Sequence, residues 1–179
     1  MTDPIRLAQL LFPHVTQTPD QLLEEQFPPR DLKEGAQVTR FAPSPTGFLH
    51  IGGVFSAMIS ERVAHTTGGR VILRIEDTDK KREVEGGVRL IAQGLRDFGI
   101  TFDEGAVDDE TETGAYGPYT QSHRAEYYHV FCKALVEKGL AYPCFCTAEE
   151  IDAIRQAQEA QGVTPGYWGE HARCRELTL

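Results

Sequence analysis

The chain has 179 residues, 40% hydrophobic and 25% charged, which suits one full domain with a small appendage and excludes low-complexity, collagenous and disordered classes. Its 18 basic and 27 acidic residues give a net charge of −9, which excludes nucleic-acid binding through a general positive field and leaves only local basic contacts. No apolar run approaches the roughly 18 residues of a membrane span, the start lacks a signal-peptide pattern, and four cysteines are too few for a disulfide scaffold, so a cytoplasmic protein with free or metal-holding thiols is expected.

Residues 1–36 read as a helical N-terminal extension. Asp3-Pro4 offers an N-cap with proline at the first helical position, ahead of Ile5, Leu7, Leu10 and Leu11, and Thr18-Pro19-Asp20-Gln21 repeats the signal as a capping box. Pro28-Pro29 stops the second helix. Residues 38–42 are β-prone, and Pro43-Ser44-Pro45-Thr46-Gly47 ends that strand. Ile51, Val54, Phe55, Met58, Ile59 and Val63 then recur at helical spacing up to Gly68-Gly69. Residues 70–75 read as a buried parallel strand, and Val88, Ile91, Leu95 and Phe98 as a helical face closed by Gly99. This βαβα order predicts a parallel α/β sheet.

Asp103, Glu104, Asp108, Asp109, Glu110 and Glu112 crowd one Gly-containing stretch, expected to be a solvated loop. Residues 122–138 should form a helix carrying Tyr128, Phe131, Cys132 and Leu135 inward, with Cys132 in the core. Thr147-Ala148-Glu149-Glu150 is a capping box for a last helix that ends near Gly162.

The chemistry concentrates where the first strand meets the first long helix. A turn at the carboxyl end of a parallel strand, leading into a helix N-terminus, is where α/β sheets bind phosphates. Gly47, Gly52 and Gly53 let a ligand approach the backbone there, and His50 adds a donor. Neither the dinucleotide fingerprint nor a Walker A loop is present.

The string Ala42-Pro43-Ser44-Pro45-Thr46-Gly47 followed by His50-Ile51-Gly52-Gly53 resembles the HIGH signature of class I aminoacyl-tRNA synthetases, in the form found in glutamyl-tRNA synthetases. Leu73-Arg74-Ile75-Glu76-Asp77-Thr78-Asp79 is similar to that family's LRIEDTD motif. Gly117-Pro118-Tyr119-Thr120-Gln121-Ser122 and Tyr142-Pro143-Cys144-Phe145-Cys146 resemble two further segments in the same order.

The resemblance implies a Rossmann-like parallel sheet with flanking helices over residues 37–139, the first half of a catalytic domain, and over 140–179 the start of an insertion for the acceptor end of tRNA. It implies an ATP- and Mg2+-dependent ligase, expected to be monomeric, that converts L-glutamate to glutamyl-adenylate and transfers it to the terminal adenosine of tRNA-Glu. His50, Gly52 and Gly53 would hold the ATP phosphates. Arg40, Ala42, Ser44 and Glu76 match the glutamate-binding positions, with Arg40 suited to a carboxylate and Glu76 to the ammonium group. For Arg40 and Glu76 the alternative is a structural ion pair across the sheet. Asp77, Thr78 and Asp79 meet the tRNA end or form a turn.

Cys144, Cys146 and Cys174 resemble a zinc ligand set of some relatives. The fourth ligand is open among Tyr167, His171 and Glu176, so an empty or partial site is expected, the alternative being thiols packed in a metal-free knob. No KMSKS-like lysine signature is present, so the chain is expected to be the first part of a synthetase and inactive alone. The alternatives are a paralogue that glutamylates a modified base of tRNA-Asp, and a non-catalytic glutamate- or nucleotide-binding module.

Overall fold

The computed structural model describes residues 3–177, which fall into two compact units: residues 20–128, and residues 3–19 with 129–177. The element order is α1 (Pro4–Leu11), α2 (Pro19–Gln26), β1 (Val38–Phe41), α3 (Ile51–Thr67), β2 (Arg70–Leu73), α4 (Gly87–Asp97), β3 (Glu104–Ala106), β4 (Glu112–Thr113), α5 (Ala125–Glu137) and α6 (Ala148–Ala160). Short 3-10 turns cover Gln121–Arg124, Gly169–His171 and Arg173–Glu176.

The unit of residues 20–128 holds a four-stranded sheet in the order β1-β2-β3-β4. The first three strands are parallel, and β4 adds antiparallel to β3; both β3 and β4 are absent from the expected βαβα order. The second strand stops at Leu73 rather than running through residue 75; Ile75 makes one further bridge, to Thr120. Leu73, Ile75, Val88, Ile91 and Leu95 form the core with Val54 and Ala57 of α3. Small residues set how α3 lies on the sheet: Ala57 and Ala64 are fully buried, and Thr39 Oγ1 on β1 donates to the Ser60 carbonyl at 2.7 Å. Gly105 lies so close to β2 that a Cβ would sit 2.1 Å from the Leu73 carbonyl oxygen, and its φ is +129°.

Three expectations fail for identifiable reasons. Of the expected α3 stripe only Val54 is buried, because the alanine face meets the sheet and leaves Ile51, Phe55, Ile59 and Val63 exposed. Phe98 lies beyond the end of α4 and is exposed, and Ile100 fills the core instead. The acidic stretch is not a free loop. Glu104 is buried on β3, Glu112 accepts from the Tyr119 and Thr120 N–H groups at 2.8 and 2.7 Å, and Asp103 pairs with Arg70 and His65; each carboxylate has donors that offset its desolvation.

His65 near the end of α3 sits between two carboxylates, with Nδ1 2.9 Å from Glu61 and Nε2 3.0 Å from Asp103. The hydrogen bond to Asp103, then that to Glu61, raises its pKa above the usual 6.5 despite some burial. A raised folded pKa stabilises fully below the unfolded value and is lost as pH rises through the folded one. Stability should therefore decline as pH rises from about 6.5, and His65→Gln should flatten that limb in urea titrations. A wild-type stability that is level there would show that the bracket contributes nothing.

In the second unit, Asp3 caps α1 by accepting from the Ile5 N–H at 3.0 Å, and the Phe12 and His129 rings lie 5.7 Å apart. Lys133 donates to the Val15 carbonyl at 2.5 Å. The buried residues of α5 are Val130 and Val136, not the expected stripe; Tyr128, Phe131, Leu135 and Cys132 are exposed, so Cys132 is not a core residue. On α6, Thr147 and Glu150 form both halves of the capping box.

Candidate functional site

After β1 the chain turns through Pro43-Ser44-Pro45-Thr46-Gly47, and three backbone bonds hold this turn to the segment that leaves β2. Arg74 N–H donates to the Phe41 carbonyl (2.9 Å), Glu76 N–H to Pro43 (3.0 Å) and Val84 N–H to Pro45 (2.9 Å). Pro45 is buried beneath Gly87, where a Cβ would stand 3.0 Å from the proline ring. The turn is therefore fixed before any ligand arrives.

His50 is the N-cap of α3, extended at φ −108° and ψ 164°, and its side chain makes no capping bond. The first N–H to reach back into the helix is that of Val54, to the His50 carbonyl at 3.1 Å. The amides of Ile51, Gly52 and Gly53 are left as donors at the positive end of a 17-residue helix. The imidazole folds over Gly52, where a Cβ would lie 3.1 Å from its Cε1 and Nδ1. His50, Gly52 and Gly53 line a cleft of about 550 Å3 with Ser44, Thr46, Gly47 and Phe48. Backbone N–H groups, an imidazole and hydroxyls converging on a helix N-terminus can hold a polyphosphate.

Ser44 reaches this cleft, whereas Arg40, Ala42 and Glu76 do not line it. Arg40 is exposed on β1, in register with Ile72 of β2. Leu73 and Ile75 point into the core, so strand alternation puts Glu76 with Ile72 on the sheet face of Arg40. Among the described residues, neither Arg40 nor Glu76 has an ion-pair partner, so the expected alternative of a pair across the sheet does not form.

Asp77 is buried and accepts from the Ser122 N–H (2.9 Å) and Oγ (2.6 Å) and from Lys80 Nζ (2.7 Å). Burial alone would raise its pKa, but Lys80 and Ser122 hold it down at about 2. These donors tie Asp77 to the 3-10 turn at Gln121–Arg124 and make it a structural residue of that turn. Sequence reasoning missed Thr46, Phe48 and Ser56 as cleft residues. Ser56 had a signal, since it lies one helical turn beyond Gly52.

In the second unit the Sγ atoms of Cys144, Cys146 and Cys174 all lie within 4.8 Å of one another, with Cys146 and Cys174 3.6 Å apart. The Tyr167 hydroxyl is 3.2 Å from Cys146 Sγ and accepts from the Cys174 N–H at 3.2 Å. Hydrogen bonds from Tyr167 and from the Phe145 N–H lower the Cys174 thiol to about 7. Three sulfurs at these separations fit the thiolate donors and span of a tetrahedral zinc site, and the Tyr167 hydroxyl stands beside them.

Residues 37–177 match the family of class I tRNA synthetases (E and Q), catalytic domain. The chain is 55% identical to the glutamate–tRNA ligase of Clostridium perfringens (strain 13 / Type A) over 96% of its own length and 31% of that protein. It is 43% identical to the glutamate–tRNA ligase of Sorangium cellulosum, covering 87% of this chain and 29% of that one. A crystal structure of a glutamate tRNA ligase from Elizabethkingia meningosepticum, in complex with its amino acid, superimposes with a TM-score of 0.66 at 40% identity, covering 78% of this chain and 27% of that one. The chain thus spans about three tenths of the length of the curated relatives it matches. No helix among the described residues is long and apolar enough to cross a membrane.

Proposed function

The chain belongs to the catalytic-domain family of class I tRNA synthetases for glutamate and glutamine, and from that premise we propose that it supplies the ATP-binding and glutamate-binding first half of a glutamate–tRNA ligase site. The observation that carries the reading is the uncapped N-terminus of α3, with His50 folded over Gly52 inside the cleft that Ser44 shares. In this reading the Ile51, Gly52 and Gly53 amides and His50 hold the phosphates of ATP and stabilise charge as pyrophosphate leaves. Arg40 pairs with a carboxylate of L-glutamate, Glu76 holds its ammonium group, and Ala42 and Ser44 shape the space between them. None of the side chains lining the cleft is a carboxylate, so Mg2+ would enter on the oxygens of ATP itself. The glutamyl group then passes to tRNA-Glu, with the protein monomeric and cytoplasmic.

Titrating the 15N-labelled chain with ATP tests this. The amide signals of Gly52 and Gly53 should shift saturably, and those around Arg40 should respond to L-glutamate. ATP shifts that spare the start of α3 would overturn the assignment. The chain alone should give no glutamate-dependent ATP–pyrophosphate exchange, because the leaving phosphates need donors from the lysine-bearing signature it lacks; measurable exchange would contradict this.

We also propose that Cys144, Cys146, Cys174 and Tyr167 hold one structural zinc ion. Elemental analysis of protein prepared without a histidine tag should find about one equivalent, lost in Cys174→Ser while the sheet's circular dichroism is retained, since the metal would couple to local folding. Metal-free protein, or zinc that survives Cys174→Ser, would refute the site.

A further inference from the structure

A second cleft, of about 300 Å3, lies on the sheet face opposite α3, where Val38 and Ile72 form its floor and three arginines, Arg30, Arg74 and Arg124, stand around it. Arg30 is neutralised by Glu104, which accepts from both terminal nitrogens of the guanidinium. The other two have no carboxylate partner among the described residues. Their guanidinium groups are nevertheless held in place. Arg74 donates through Nη2 to the Tyr128 hydroxyl at 3.2 Å. Arg124 donates through Nη1 to the Pro118 carbonyl at 2.6 Å, and its guanidinium carbon lies 5.2 and 5.3 Å from the Phe27 and Tyr127 ring centres. Each also carries an Nε–H, and both of these donors are buried with no hydrogen-bond partner.

Buried charged donors without acceptors are rare and unfavourable, because they have lost water and gained nothing in return. Here the two arginines that carry them line one cleft, no acidic side chain lines it, and the two uncompensated positive charges there are already positioned. We propose that this cleft binds a phosphate group. A carboxylate pairs best with one guanidinium face through two adjacent N–H groups, but one terminal nitrogen of each arginine is engaged and the buried unpartnered donors come from two separate side chains. A phosphate offers oxygens in several directions and carries close to the two negative charges that Arg74 and Arg124 would balance. The volume leaves room beyond the phosphate itself, so a free phosphate or phosphomonoester and a phosphodiester of an RNA backbone share the required chemistry. None of these residues lines the cleft at α3, so this site and the proposed ATP site stand or fall separately.

The test follows the arginine Nε–H resonances of the 15N-labelled 179-residue chain during titration with inorganic phosphate, with sodium chloride at matched ionic strength as control. The Arg74 and Arg124 signals should move saturably with phosphate and not with chloride. Arg74→Gln and Arg124→Gln should each weaken binding by about tenfold or more, the effect of losing one charge-assisted donor, and His50→Ala should leave it unchanged. Arg124→Lys keeps a positive charge beside the Phe27 ring while removing the planar guanidinium and its Nε–H, and it should weaken phosphate in the same way. A short oligoribonucleotide that moves the same two signals at lower concentration than inorganic phosphate identifies backbone phosphodiester as the source; the reverse order identifies a free phosphate. Signals that respond to neither probe, or that move linearly and equally with chloride, overturn the proposal, and the wild-type titration decides this even if a variant fails to fold.

Discussion

Replacing His50 with alanine should lower glutamate-dependent ATP–pyrophosphate exchange by about tenfold to a thousandfold in a synthetase that carries this chain, the scale for losing one preorganised donor to developing charge. The imidazole stands beside three amides that no side chain caps, so the helix terminus is left to bind the phosphates without the donor aimed beside it. Glutamate affinity should hardly change, because the ring faces Gly52 and not the sheet face of Arg40. Arg40→Ala should do the reverse and raise the glutamate concentration required by about tenfold or more, as expected when a carboxylate loses a charge-assisted partner. The two variants separate binding from chemistry only if they differ. Should both lower only the rate, or both only glutamate capture, the division of roles between α3 and the strand ends would be wrong.

The turn between β1 and α3 was legible because its constraints are local: two prolines fix the path, glycines open the backbone, and the helical run begins directly afterwards. The helix caps at Asp3 and Thr147 were readable for the same reason. Burial on α3 and α5 was not, because both helices carry more apolar residues than their packed faces use. On α3 the sheet accepts Ala57 and Ala64, whose small size permits close approach, and periodicity cannot say which of two apolar stripes faces inward. The acidic stretch misled in the opposite sense. Charge density suggested solvent, yet the partners of Glu104 and Glu112 come from Arg30, Tyr119 and Thr120, and pairings over such separations leave no periodic trace. The cysteines were readable as a ligand set in CxC form, and Tyr167 was one of three candidates for the fourth donor; spacing could not choose among them, whereas the structure puts the Tyr167 hydroxyl beside Cys146.

Glu104→Ala should be the most destabilising single change in the sheet unit, at about 3–5 kcal/mol, the cost of removing one partner from a buried ion pair. Glu104 is 9% exposed and both of its carboxylate oxygens are used: Arg30 donates to each, and the Tyr119 hydroxyl donates to Oε2 at 2.8 Å. Truncation leaves the Arg30 guanidinium stacked 3.8 Å from the centre of the Tyr116 ring with no counter-charge, and leaves the Tyr119 hydroxyl, on a residue only 2% exposed, with no acceptor. For a chain of this length the loss should lower the melting temperature by roughly 10 °C. Glu104→Gln keeps the shape and one acceptor oxygen, so it should cost less, and Tyr119→Phe, which removes a single hydroxyl, should cost about 1 kcal/mol. The pH dependence has a definite sign. Arg30, and then Tyr119, lower the Glu104 pKa below 4.5 against the opposing effect of burial, so this stability is present above about pH 4.5 and is lost as pH falls through the folded value. Glu104→Gln should therefore flatten the acid limb of the stability curve while leaving the limb controlled by His65 unchanged. A Glu104→Ala protein that melts within about 2 °C of wild type, too small a shift for a buried pair, would mean that Arg30 and Tyr119 find other partners and that the network does not anchor the N-terminal segment to β3.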